Sequence, residues 1–195
     1  MAATVEFLFD VGSPASYVAF KRLPAIAART GAAIDYQPML LGGVFKATGN
    51  HSPAEVPAKG AWTSRDLARF AAKYDVPFTR NPHFPINTLH LMRGAAGLQD
   101  DPRFTAYLDA VFDAMWLQPR NLGDPAEMPP VLARAGLTGD EFRALIEAED
   151  TKARLKATTE RAVARGVFGA PTFFVGDEMF FGQDRLEWVE EALAV

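Results

Sequence analysis

The 195-residue chain contains no cysteine. That absence excludes protein disulfides, thiolate metal sites and redox chemistry on a protein thiol. Long apolar runs are missing too, and none approaches the roughly 20 residues of a membrane-spanning helix. The opening Met1-Ala2-Ala3-Thr4 carries neither a basic segment nor a signal-type apolar region, so the expected compartment is the cytoplasm, with no membrane partner. Charge of one sign is not concentrated. Lys and Arg total 20 against 24 Asp and Glu, for a net charge of −4, which leaves no electrostatic footprint for nucleic acid. Histidine is scarce. His51, His83 and His90 fall at no HxxxH or HExxH spacing, so they read as structural or surface residues and no metal site is expected. Gly42-Gly43 lacks the spacing of a phosphate-binding Walker loop.

What remains is an ordinary globular composition, 49% hydrophobic and 23% charged. The chain is long enough to bury a proper core, as one domain or one domain carrying an insertion.

The stretch from Phe7 to Tyr17 organises the rest. An apolar run ends at Gly12, Ser13 and Pro14 follow, and a helical pattern begins. This spacing predicts a strand, a sharp turn and a helix with Ser13 as N-cap and Pro14 at its first position. Unpaired N–H groups and the positive end of the helix dipole would then favour an anion above Ser13. A plain helix cap accounts for the same residues.

Along the chain, residues 5–9 read as a buried strand, 17–29 as a helix that Pro24 should bend or weaken, and 33–38 as a second strand. The Gly- and Pro-rich stretch 41–61 reads as an irregular loop, and residues of about 62–150 are mostly helical. Asn87 or Thr88 is placed to cap one helix, and Thr138 with Glu141 fits a capping box. A helix from 151 to 165 closes at Gly166. Two strands then flank a Gly176-Asp177 turn, and a last helix follows Gln183-Asp184. The order β-α-β, helical block, α-β-β-α is that of an α/β, thioredoxin-like fold with an inserted all-helical subdomain. Its expected boundaries are 1–40 and 151–195 for the thioredoxin-like part and 41–150 for the insertion. In that layout Pro171 stands opposite Ser13, where a cis X-Pro bond is expected; an ordinary trans loop proline is the other reading.

Together these motifs resemble those of the 2-hydroxychromene-2-carboxylate isomerases and, more broadly, the kappa-class glutathione transferases. The matching residues include 9–17, Leu23-Pro24, Gly49-Asn50, Lys59-Gly60, Asn81-Pro82-His83-Phe84-Pro85, 166–173 and 181–185. They run in family order over nearly the whole chain. The resemblance implies that Ser13 holds the sulfur of glutathione as a thiolate. It implies that Ala170, before Pro171, pairs with the glutathione peptide through its backbone. Gln183 and Asp184 would hold the γ-glutamyl end, and Asn50 and Lys59 the glycyl end or the mouth of the site. Ala15 departs from the pattern, since relatives commonly carry Tyr or Phe there.

The implied reaction is glutathione-dependent cis-trans isomerisation of 2-hydroxychromene-2-carboxylate to trans-o-hydroxybenzylidenepyruvate in aromatic, naphthalene-type catabolism. The implied partners are a small aromatic carboxylate substrate and a second copy of the chain in a homodimer. Glutathione would bring the thiol that the chain lacks. Trp62, Phe84, Trp116 and Phe168 are candidate pocket walls, and plain core residues on the alternative reading. A conjugating kappa-class transferase would share every glutathione contact. A non-enzymatic thioredoxin-fold binding module is the rival from another class. A serine hydrolase fits poorly, because Gly12-Ser13-Pro14 is not a G-x-S-x-G elbow.

Overall fold

Thr4–Phe9 forms β1 because Val5, Phe7, Leu8 and Phe9 can all be buried there. The computed structural model describes residues 3–194. After β1 come helix α1 (Pro14–Thr30) and strand β2 (Ala33–Pro38), which lies parallel to β1 with Thr4 opposite Ala33 and Phe9 opposite Pro38. Near the other end of the chain, β3 (Thr172–Val175) runs antiparallel to β1, with Phe7 opposite Phe173. Strand β4 (Glu178–Phe181) completes the sheet, whose order is β2-β1-β3-β4. Gly176, at φ 59°, makes the turn between β3 and β4. This is the mixed sheet of a thioredoxin-like fold.

Helix α1 starts as its sequence dictates, with Ser13 as N-cap and Pro14 in the first turn. It continues through Pro24 and closes on Gly31, which at φ 69° supplies the left-handed residue the end requires.

The expected loop over 41–61 is corrected by the structure. Helix α2 spans Leu41–Thr48, Pro53–Glu55 is a 3-10 turn, and helix α3 (Pro57–Lys73) has begun by Pro57. The two prolines sit at first helical positions, where a missing N–H costs nothing. Gly43 lets α2 approach its neighbour: a Cβ there would lie 3.2 Å from Thr159 Cγ2. The remaining helices are α4 (Leu89–Leu98), α5 (Phe104–Trp116), α6 (Met128–Arg134), α7 (Gly139–Glu147), α8 (Glu149–Ala164) and α9 (Leu186–Leu193). Thr138 and Glu141 form the expected capping box at α7.

The two faces of the sheet bury different partners. Phe7, Phe9 and Phe173 join Phe20 of α1 and Phe112 of α5 in one apolar cluster, with Phe20 stacked on Phe112 at 4.8 Å. Leu8 and Phe174 turn the other way, toward Met39, Val44 of α2 and Ala162 of α8. Alternation along β1 thus clamps the strand between α1 and α5 on one side and α2 and α8 on the other. The turn that follows β1 is therefore held from both faces.

Candidate active site

That turn ends at Ser13. Its backbone N–H donates to Asp10 O at 2.9 Å, which closes the turn. At φ −89° and ψ 115° Ser13 is extended, as an N-cap should be, and its Oγ accepts from Ser16 N–H at 3.1 Å. The same hydroxyl donates to the carbonyl of Ala170 at 3.0 Å. The Ala170-Pro171 bond is cis, and the Ser13–Ala170 contact sets this proline opposite Ser13, as its place in the chain order implied. A second cis bond, Phe84-Pro85, was not expected. Among the described residues the N–H of Ala15, in the first turn of α1, has no hydrogen-bond partner. The site therefore offers a hydroxyl, a free N–H and the positive end of a 17-residue helix.

Other predicted site residues join this centre through backbone contacts. Asn50 Nδ2 donates to Phe168 O at 2.8 Å, and its Oδ1 accepts from His51 N–H. Gly182 N–H donates to Pro171 O at 3.0 Å, which seats Gln183 and Asp184 beside the cis bond. Asp184 does not cap the helix that follows it. Gly182 precedes a 3-10 turn over Gln183–Arg185, Arg185 takes the N-cap position of α9 without a side-chain bond, and the Asp184 carboxylate pairs with Arg185. Phe168 is 38% exposed and packs on Phe181, 41% exposed, with ring centroids 4.5 Å apart. A Cβ on Gly169 would come within 2.7 Å of the Phe181 ring, so a side chain there would have to push that ring aside.

The structure does not gather every predicted wall residue. Trp116 is 1% exposed, and its indole N–H donates to Val11 O at 2.8 Å. It is a core residue that supports the turn from beneath, because α5 runs under the sheet. Phe84 is half-buried against Trp116. Lys59 lies exposed in the first turn of α3, with 55%-exposed Trp62 one turn further on. Neither has a hydrogen bond, ion pair or ring contact with the Ser13 group. His90 is half-buried against Leu122 O, and burial holds its imidazole below the usual range. Surface depressions of about 550 and 280 Å³ involve His83 and His90 respectively, and neither is lined by Ser13.

Two residues escaped the sequence reading. Phe181 sits in Met179-Phe180-Phe181, where an unbroken apolar run hides which side chains point outward. Asp10 reads in sequence as a turn residue, yet it is 1% exposed and accepts three hydrogen bonds.

A family profile for the DSBA-like thioredoxin domain matches residues 4–194. A 2-hydroxychromene-2-carboxylate isomerase of Sphingobium xenophagum is 34% identical over 198 residues, covering 99% of both chains. The chain belongs to the DSBA-like thioredoxin family, in its 2-hydroxychromene-2-carboxylate isomerase branch. A second isomerase of this branch, from Pseudomonas putida, is 32% identical and covers 97% of this chain and 93% of its own. The solved structure of a 2-hydroxychromene-2-carboxylate isomerase superposes with a TM-score of 0.86 at 31% identity, covering 97% of this chain and 94% of that one. Human glutathione S-transferase kappa 1 stands further off, at 27% identity over 97% of this chain and 90% of its own.

Proposed function

We propose that this chain is a glutathione-dependent isomerase converting 2-hydroxychromene-2-carboxylate to trans-o-hydroxybenzylidenepyruvate. One observation carries the reading: in a chain without cysteine, Ser13 Oγ stands at a helix N-terminus and donates across to the residue before a cis-proline. The residues fit a borrowed thiolate. A free thiol has a pKa near 8.5, and a helix N-terminus with a hydroxyl donor lowers it. Bound glutathione would supply a thiolate that adds to the conjugated substrate, permits rotation about the bond made single, and leaves unchanged.

The chain's own residues have separable tasks in this proposal. Ser13 turns its hydroxyl from Ala170 O to the sulfur, and Ala15 N–H adds a second donor. Ala170 O, once released, is open to an amide donor of the glutathione peptide. Gln183 and Asp184, beside Pro171, take the γ-glutamyl end. Asn50, with Lys59 further out, takes the glycyl carboxylate. Phe168 and Phe181 present ring surface to an aromatic substrate.

The direct test follows the absorbance of 2-hydroxychromene-2-carboxylate with purified protein and glutathione. Conversion that stops without glutathione, yet leaves the total thiol unchanged, is the expected result. The kappa-class relatives favour a second reading, conjugation of glutathione to electrophiles. Rapid stoichiometric loss of thiol with a chlorinated nitroarene, and no isomerisation, would decide for it. Asn50→Ala separates binding from chemistry. It is expected to raise the KM for glutathione about tenfold, the worth of one hydrogen bond to a charged group, and to leave kcat within about twofold. A fall in kcat at unchanged KM would remove Asn50 from the glycyl end.

A further inference from the structure

Asp10 has no part in the chemistry above, yet among the described residues it is the one acidic side chain that is buried. We infer that Asp10 is a positioning residue: as a carboxylate it locks the Gly12–Ser13 turn, the head of α2 and the head of α4 together, and so sets where the Ser13 hydroxyl stands.

The count of donors carries this. Gly12 N–H donates to Oδ1 at 2.8 Å. Leu41 N–H, at 2.8 Å, and Thr88 Oγ1–H, at 3.1 Å, donate to Oδ2. The two backbone donors belong to different oxygens and cannot turn away. A side-chain amide places an NH2 group on one of those atoms, facing it against a backbone N–H, whereas a protonated carboxyl can hand its proton to Thr88 Oγ1 and keeps the two backbone donors only as a neutral, weaker acceptor. Only the anion accepts all three as charge-assisted bonds.

No cationic side chain contacts Asp10 from the turn, from α2 or from α4; everything facing it is a neutral dipole. Burial pushes its carboxyl above the usual range, while the bonds from Leu41, Gly12 and Thr88 pull it back. A buried anion of this kind is costly unless hydrogen bonds offset its lost hydration, and three neutral donors do so here.

The position closes a ring of contacts. From Asp10 the path runs through Leu41 N–H and along α2 to Asn50, then to Phe168 O, Ala170 O and the Ser13 hydroxyl. Ser13 N–H returns it to Asp10 O. Thr88 also seats the turn directly. A Cβ on Gly12 would lie 2.8 Å from Thr88 Cγ2 and 3.3 Å from Asp10 Oδ1. Loosening Asp10 therefore moves both ends of the proposed glutathione site. Only the activity arm of the test below rests on the isomerase reading.

The first arm uses NMR on the ligand-free full chain. The Asp10 carboxyl carbon is followed against pH, together with the amides of Ser13 and Leu41. All three are expected to share one midpoint above the ordinary carboxylate range. Thr88→Val keeps the methyl packing and removes one donor, so the midpoint is expected to rise by about one pH unit. Thr88→Ser returns it toward the wild-type value. Amides that ignore the Asp10 titration, or a midpoint that Thr88→Val leaves in place, would overturn the inference.

The second arm is kinetic. Asp10→Asn is expected to lower kcat/KM about ten- to a hundredfold, the cost of one buried donor left facing a donor. Wild-type turnover in that variant also overturns the inference. Shared titration in a chain that turns over no glutathione-dependent substrate would support the coupling and sink the isomerase reading.

Discussion

Ser13→Ala is expected to lose glutathione-dependent turnover by about a hundredfold or more in kcat while still binding glutathione. Removing one preorganised donor from a developing anion costs on that scale. The same change strips the N-cap from α1, worth about 1 kcal/mol, so lost activity alone would not separate chemistry from folding. Ser13→Gly separates them. Glycine caps within a few tenths of a kcal/mol of serine, and nothing in the extended backbone at φ −89° opposes it. Both variants should fall together in kcat, while only Ser13→Ala loses thermal stability. Glutathione affinity is read by calorimetry and turnover by substrate absorbance. Full turnover in both variants, with glutathione bound, would remove Ser13 from the reaction. No turnover in the wild type with any glutathione-dependent substrate would favour a binding module on the same fold.

The second large effect is on stability. Trp116→Ala is expected to cost about 3–5 kcal/mol, as removal of a buried aromatic does, and to lower Tm by about 10 °C. The indole is among the largest fully buried side chains, packed against Phe78 at 6.1 Å and Phe84 at 5.8 Å. Its loss also strands Val11 O, two residues before Ser13. Trp116→Phe keeps a ring and strands only that carbonyl, for about 1–3 kcal/mol. Calorimetric unfolding of both variants gives the ladder. A fall of less than about 2 °C for Trp116→Ala would show that the site collapses around the gap and that the turn does not depend on the indole.

The features legible in the sequence were those whose causes are local. Ser13 with Pro14, Thr138 with Glu141, and the glycines at 166 and 176 each act within a few residues of themselves, so their spacing announces a cap or a turn. Helix α2 was hidden because its first N–H is satisfied by Asp10, 31 positions earlier in the chain. Leu40 in its cap position offers no side-chain acceptor, and two glycines then read as loop. Trp116 stayed open between wall and core for a related reason. An aromatic at a helix end fits a pocket wall or a core equally well until the sheet above it is known. The resemblance carried Asn50, Ala170, Gln183 and Asp184 to one neighbourhood that spacing alone does not join. It is the tertiary bonds of Phe168 O and Pro171 O that bring these residues beside Ser13.

The bond from Ser13 to Ala170 O has a consequence for selection among ligands. A hydroxyl that already has an acceptor works as a comparator. A newcomer captures it only by being the better acceptor, and a charged acceptor binds roughly twice as strongly as a neutral one. A neutral thiol or thioether offers less than the carbonyl and leaves the contact intact; a sulfur anion offers more and displaces it. On the proposed glutathione reading, Ser13 would weigh the charge on sulfur as well as the shape of the tripeptide, and glutathione capped on its sulfur should bind without drawing the serine away from Ala170 O.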